Sequence, residues 1–232
     1  MRRLVLFDID GTLLSTHAAT ARVFHQALRE VYGTTGPVRG YSFGGKTDPQ
    51  IARELLLAAG LQAADIEARL PALWAAYLPR LRAALPAAEI TVFPGVERVL
   101  DALAAAPDAA VLGLLTGNLR EGAWLKLQAA RLGPERFRVG AFGSDHADRR
   151  ELPALAVGRA AEAVGRRFAP REVVVIGDTP ADIACGAHLG ARTVAVATGT
   201  YSADALAEHE PDALLPSLAD FDAAWAAIFA ED

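Results

Sequence analysis

Leu4-Val5-Leu6-Phe7-Asp8-Ile9-Asp10-Gly11-Thr12 decides the fold. An apolar run this short, this close to the N-terminus, reads as a buried parallel strand. It stops abruptly in two carboxylates, Asp8 and Asp10, followed by a glycine and a hydroxyl. In an open α/β sheet the ligand crevice lies beyond the carboxyl ends of the strands, which is where both acids fall. Two carboxylates there are costly unless something cationic sits between them. A hard cation such as Mg2+ takes oxygen ligands of this kind. One carboxylate could also be a nucleophile and the other a proton donor.

Working outward, strand-like apolar runs recur at residues 111–115, 173–176 and 193–197, with a weaker one at 137–142 and a short one at 213–215. Helical patterns separate most of them, which predicts βαβ units and a doubly wound parallel sheet covered on both faces. Between the first strand and the second lies an insert, residues 15–89, far longer than an ordinary connection and without a good strand. Residues 16–32 are periodic and end at Gly33. Thr47-Asp48-Pro49 opens a second helix with a cap and an early proline, and Gly60 closes it. Residues 64–85 continue with Ile66, Leu70, Leu73, Trp74 and Tyr77 at helical spacing, and Pro71 and Pro79 are expected to break or kink that helix. The division is therefore residues 1–14 with 90–232 as an α/β core, and 15–89 as an all-helical insert. Phe93-Pro94-Gly95 marks re-entry into the core.

Composition narrows the function. The chain has 232 residues, 52% of them apolar, and a formal net charge of −5. That balance gives a nucleic-acid partner no electrostatic support. The single cysteine, Cys185, excludes an intrachain disulfide and fits a reducing cytosol. Met1-Arg2-Arg3 before an apolar run mimics the opening of a signal peptide, but Asp8 and Asp10 interrupt it too soon for a signal or a membrane span. The expectation is a soluble, cytoplasmic protein with no membrane partner, monomer or homodimer. The histidines show no metal-ligand spacing.

Three later segments repeat the logic of the first. Leu114-Leu115-Thr116-Gly117-Asn118 ends an apolar strand in a hydroxyl, a glycine and an amide; backbone N–H groups at the following helix start favour an anion. Asn118, with Glu121 three residues on, also makes a plausible helix cap. Val173-Val174-Val175-Ile176-Gly177-Asp178 delivers a carboxylate to the same sheet edge, where it needs a partner. Thr179-Pro180-Ala181-Asp182 fits a capped helix start. Ser144 to Pro153 carries the adjacent pair Arg149-Arg150. In the insert, Tyr41-Ser42-Phe43-Gly44-Gly45-Lys46-Thr47-Asp48 is the most loop-like stretch; its glycines let backbone approach a ligand and Lys46 could meet an anionic group.

Taken in order, these segments resemble the haloacid dehalogenase superfamily, the magnesium-dependent aspartyl-phosphate phosphatases, and within it relatives similar to phosphoglycolate phosphatase and β-phosphoglucomutase. The resemblance covers most of the chain. It implies a Rossmann-like core with a helical cap hinged at residues 13–17 and 89–93. It implies Asp8 as nucleophile and Asp10 as general acid and then base. The superfamily's dehalogenases lack that second aspartate, so phosphate esters are favoured over haloacids. Thr116 would bind a phosphoryl oxygen, with Gly11, Thr12, Gly117 and Asn118 around the phosphate and Gly45 and Lys46 as cap contacts. Mg2+ would be held by the Asp8 carboxylate, the Asp10 main-chain carbonyl and Asp178, with Asp182 acting through a metal-bound water.

One departure stands out. The family's third motif is a lysine, usually followed by proline. Lys126 lies about 12 Å into a helix and reads as a surface residue. Arg149 aligns best with the missing lysine, with Arg150 as the alternative; either supplies a charge with bidentate geometry. The resemblance therefore implies a phosphatase of a small phosphorylated metabolite. The alternatives are a sugar phosphomutase or a catalytically weak phosphoryl-binding regulatory protein.

Overall fold

Each apolar run becomes a strand, buried except for the half-buried one at residues 213–215, and the helices between them return the chain across the sheet. In the computed structural model, which describes residues 2–230, β1 (Arg3–Phe7) and the short β2 (Leu14–Ser15) precede α1 (Ala19–Tyr32), α2 (Asp48–Ala58) and α3 (Ala63–Ala84). β3 (Thr91–Val92), α4 (Val96–Ala104), β4 (Ala110–Thr116), α5 (Arg120–Ala129) and β5 (Val139–Phe142) follow. Then come α6 (Leu152–Val164), β6 (Val173–Gly177), α7 (Pro180–Leu189), β7 (Arg192–Val196), α8 (Ala203–Ala207), β8 (Ala213–Leu215) and α9 (Phe221–Phe229).

Six strands form one sheet in the order β5-β4-β1-β6-β7-β8, with every pairing parallel. β1, β4 and β6 are buried at every residue, as strands covered on both faces must be. One face packs Val5, Phe7, Leu112, Leu114, Val174 and Ile176 against α4, α5 and α9. The other packs Leu4, Leu6, Val111, Leu115, Val173 and Val175 against α6 and its neighbours. β1 lies between β4 and β6, with the chain winding outward on either side of it. This is the topological switch point of the sheet, where a crevice opens beyond the strand ends.

β2 and β3 pair antiparallel, Leu14 with Val92 and Ser15 with Thr91, so the two passages into and out of the insert form one small ribbon. The insert's helices have their own apolar cluster, centred on Phe24, Leu28, Leu55, Leu56, Leu73 and Tyr77. That cluster continues into Leu119 and Leu125 of the core, so the insert sits on α5. Gly33 ends α1 in the left-handed conformation, and Thr47 caps α2 by accepting from the Gln50 N–H.

The expected break in the third helix does not occur. α3 runs unbroken through Pro71 and Pro79. Both prolines lie on its exposed side, as do Glu67 and Ala75, whose carbonyls lose their donors. Water can satisfy those carbonyls, while the opposite face, Ile66, Leu70, Leu73 and Tyr77, is buried against α1 and α2.

Candidate active site

β1, β4 and β6 are neighbours, so the residues just past their ends converge within a few strand spacings. Asp8 follows β1 and its N–H extends the ladder to Ile176 O at 2.9 Å. Thr116 ends β4 and Asp178 follows β6. Asp8, Asp178 and Asp182 are buried, with one oxygen from each lying within 4.8 Å of the others. Gly11 and Gly199 leave the room Asp178 needs: a Cβ on either would lie within 2.2 Å of its carboxylate. Thr12 Oγ1 donates to Asp178 Oδ1 at 2.9 Å, so the Thr12 hydroxyl is directed at the carboxylate.

Arg149 enters this cluster from the turn before α6. It is 5% exposed, and its Nη2 lies 3.2 Å from Asp8 Oδ1 and bonds Asp182 Oδ1. Arg150, by contrast, is exposed and forks onto Asp148. The second Asp182 oxygen accepts from the Thr179 N–H and hydroxyl in a reciprocal capping box at the start of α7. Asp182 is thus engaged on both oxygens and fixes Arg149 against Asp8.

Asp10 faces a different set of partners. Lys126 Nζ lies 2.8 and 2.6 Å from its two oxygens, and Asn118 Nδ2 donates to Oδ2 at 2.7 Å. Lys126 also donates to Asn118 Oδ1 at 2.6 Å and is only 2% exposed. The reading of Lys126 as a surface residue is therefore wrong. Helical side chains lean toward the N-terminus of their helix, and the lysine stem carries the ammonium back to the sheet edge. Asn118 does not cap α5, which has no side-chain cap of its own; its amide joins Asp10, Lys126 and Thr116. Thr116 Oγ1 accepts from Asn118 Nδ2 at 2.8 Å, which leaves its own hydrogen to donate.

The insert closes over these groups through contacts that join it to the core. The Asp48 N–H donates to Gly117 O at 2.8 Å, and the Leu119 N–H at the start of α5 donates to Asp48 Oδ2 at 2.8 Å. Thr47 Oγ1 donates to Ala147 O at 2.6 Å. Gly117 must be glycine here, since a Cβ would lie 2.1 Å from Lys46 O. Gly45 has φ 74° and its backbone approaches Thr179 and Ala181. Lys46 lines the chamber, but its ammonium bonds Glu54 Oε2 at 2.6 Å. His17, in the passage into the insert, has φ 48°, bonds Thr91 Oγ1 and also lines the chamber. The chamber is about 210 Å³ and is walled by both regions.

Its electrostatics call for a cation. Burial pushes Asp8 above the usual carboxylate range; Arg149 opposes this, and Asp182 and Asp10 add to it. Burial also raises Asp178, reinforced by Asp182 and Asp8. Three buried carboxylates thus share one guanidinium. The donors around the deficit are hard oxygens, with no thiolate or imidazole among the three clustered carboxylates, and that set fits Mg2+ rather than a softer ion. Asp48 is likewise raised, to about 6, by burial, against Lys126 and the Leu119 N–H.

The fold belongs to the class of α/β proteins with a parallel sheet whose switch point gathers acids beside a hydroxyl donor and a buried guanidinium. The family model for haloacid dehalogenase-like hydrolases matches residues 2–190, and the chain belongs to that family. Among solved structures it resembles a protein assigned as a β-phosphoglucomutase from Bacteroides vulgatus, at 20% identity and TM-score 0.69, covering 98% of this chain and 88% of that one. A protein assigned as a phosphoglycolate phosphatase from Haemophilus somnus matches at 21% identity and TM-score 0.67, covering 95% and 96%. CbbY from Rhodobacter sphaeroides, solved in complex with phosphate, matches at 22% identity and TM-score 0.63, again covering 95% and 96%. No curated protein matches the sequence.

Proposed function

We propose that the chain is a Mg2+-dependent phosphatase of a small phosphorylated metabolite, working through an aspartyl-phosphate on Asp8, with residues 15–89 as its cap. The observation that carries this reading is the separation of the two leading aspartates. Asp8 lies in the acid cluster with Arg149, whereas Asp10, two residues on, turns to Lys126 and Asn118. One carboxylate is set to attack phosphorus and the other to handle a proton.

Asp8 attacks the phosphoryl group and the bond to the ester oxygen breaks. Asp10 gives that oxygen its proton, so an alcohol leaves rather than an alkoxide. Asp10 then takes a proton from the water that attacks phosphorus, which releases phosphate and restores Asp8. Thr116 donates its hydroxyl hydrogen to a phosphoryl oxygen, and Arg149 places a fixed positive charge beside Asp8. Lys126 and Asn118 hold the Asp10 carboxylate in one orientation. Asp8, the Asp10 carbonyl and Asp178 would hold the magnesium ion, with Asp182 outside them, already engaged by Arg149 and Thr179. When bound, the ion would supply the positive charge that the acid cluster lacks and offset the negative charge of the phosphoryl oxygens.

Phosphate release from p-nitrophenyl phosphate with and without Mg2+ tests the reading. Turnover should require the metal and fall at least about a thousandfold in Asp8→Asn, as loss of a nucleophile does. Equal turnover by the variant would remove Asp8 from the mechanism.

A further inference from the structure

Assuming the phosphatase reading, the chamber's charge balance identifies the leaving group. We propose that the substrate is a phosphate monoester of a small uncharged, hydroxyl-bearing alcohol, and not one whose leaving group carries a carboxylate or a second phosphoryl group. Three side chains lining the chamber are strong bases, and each already meets a carboxylate. Arg149 meets Asp8 and Asp182, Lys126 meets Asp10 at 2.6 Å, and Lys46 meets Glu54 at 2.6 Å.

The Lys46 pair is built rather than incidental. Glu54 also accepts from Tyr41 Oη at 2.7 Å and from Gln50 Nε2 at 2.8 Å, and the ammonium sits 4.2 Å from the Tyr41 ring centroid. Burial opposes ionisation of Glu54, but the hydrogen bonds from Lys46, Tyr41 and Gln50 outweigh it and hold its carboxyl below the usual range. His17, the remaining basic side chain of the lining, bonds Thr91 Oγ1 at 3.0 Å and lies 4.0 Å from Glu89.

Against these stand the lining carboxylates Asp8, Asp10 and Asp48, with Asp178, Asp182 and Glu54 behind them. A divalent metal carries two positive charges, and the acid cluster and the phosphoryl dianion both draw on them. A second anion in the chamber would meet no uncommitted cation and would face Asp10 and Asp48. The wall instead offers apolar Phe24, Phe43 and Ile51, the hydroxyls of Thr16 and Thr20, and Tyr77. Tyr77 is 1% exposed overall and lines the chamber. A phenol hydroxyl there suits a substrate hydroxyl. The same balance speaks against a mutase cycle, because returning a phosphoryl group to a sugar phosphate requires a second phosphate to be held here.

The test compares kcat/KM, with Mg2+, for glycerol 3-phosphate, 2-phosphoglycolate and glucose 1,6-bisphosphate, in wild type and in Glu54→Gln. Wild type should favour glycerol 3-phosphate over both anionic leaving groups by at least about tenfold. Glu54→Gln releases Lys46 and should raise the 2-phosphoglycolate to glycerol 3-phosphate ratio about tenfold, as one charged hydrogen bond would. Wild-type preference for either anionic substrate, or an unchanged ratio in the variant, overturns the proposal. Absence of phosphate release from all three and from p-nitrophenyl phosphate would instead sink the phosphatase reading, and this proposal with it.

Discussion

Asp10 receives three hydrogen bonds from two side chains that the surrounding sequence does not advertise. Asn118 reads equally well as a helix cap, and Lys126 reads as solvent-facing from its depth in α5. Which way a helical side chain turns depends on what packs against that helix, and here α5 is packed by α3 and by the core. Asp8 and Asp178 were legible because a carboxylate ending an apolar strand has few bland explanations. Arg149 was legible only as one of two adjacent arginines; burial separates it from Arg150. Lys126→Met keeps the stem and removes the ammonium. It should lower kcat about 10- to 100-fold with little change in KM, since Asp10 keeps Asn118 but loses its fixed orientation. Steady-state kinetics would show this, and an unchanged kcat would make Lys126 merely structural.

At the level of elements, periodicity and punctuation carried most of the information. The runs at 4–7, 111–115, 173–176 and 193–197 are β1, β4, β6 and β7 to within a residue or two at either end. Gly33 and Thr47 end and begin helices as their chemistry requires. Pro71 and Pro79 misled because propensity is local, whereas the burial that overrides it is not. Pro79→Ala should therefore stabilise the protein by about 1–3 kcal/mol, the helix gain less the lost restriction of the unfolded chain. Chemical denaturation would measure it, and a destabilised variant would mean the proline is needed for the course of α3. The latch between Asp48 and Leu119 joins residues 71 apart and left no sequence signal.

Across the whole molecule, one sheet brings together carboxylates from opposite ends of the chain, and the fold bears their repulsion. Metal binding should relieve it. Saturating Mg2+ at about 100 times its dissociation constant would add about 2.7 kcal/mol, visible as a rise in melting temperature that Asp178→Asn largely abolishes. A metal-insensitive melting temperature in wild type would contradict the assignment of the acid cluster. Among the described residues no helix is long and apolar enough to cross a membrane.

The central claim is a covalent phosphoryl group on one particular carboxylate. Enzyme quenched during turnover of p-nitrophenyl phosphate with Mg2+, reduced with borohydride and digested, should yield homoserine at position 8 in the peptide containing Asp8 and Asp10. Phosphate release without modification at position 8, or reduction at Asp10 instead, would contradict the account.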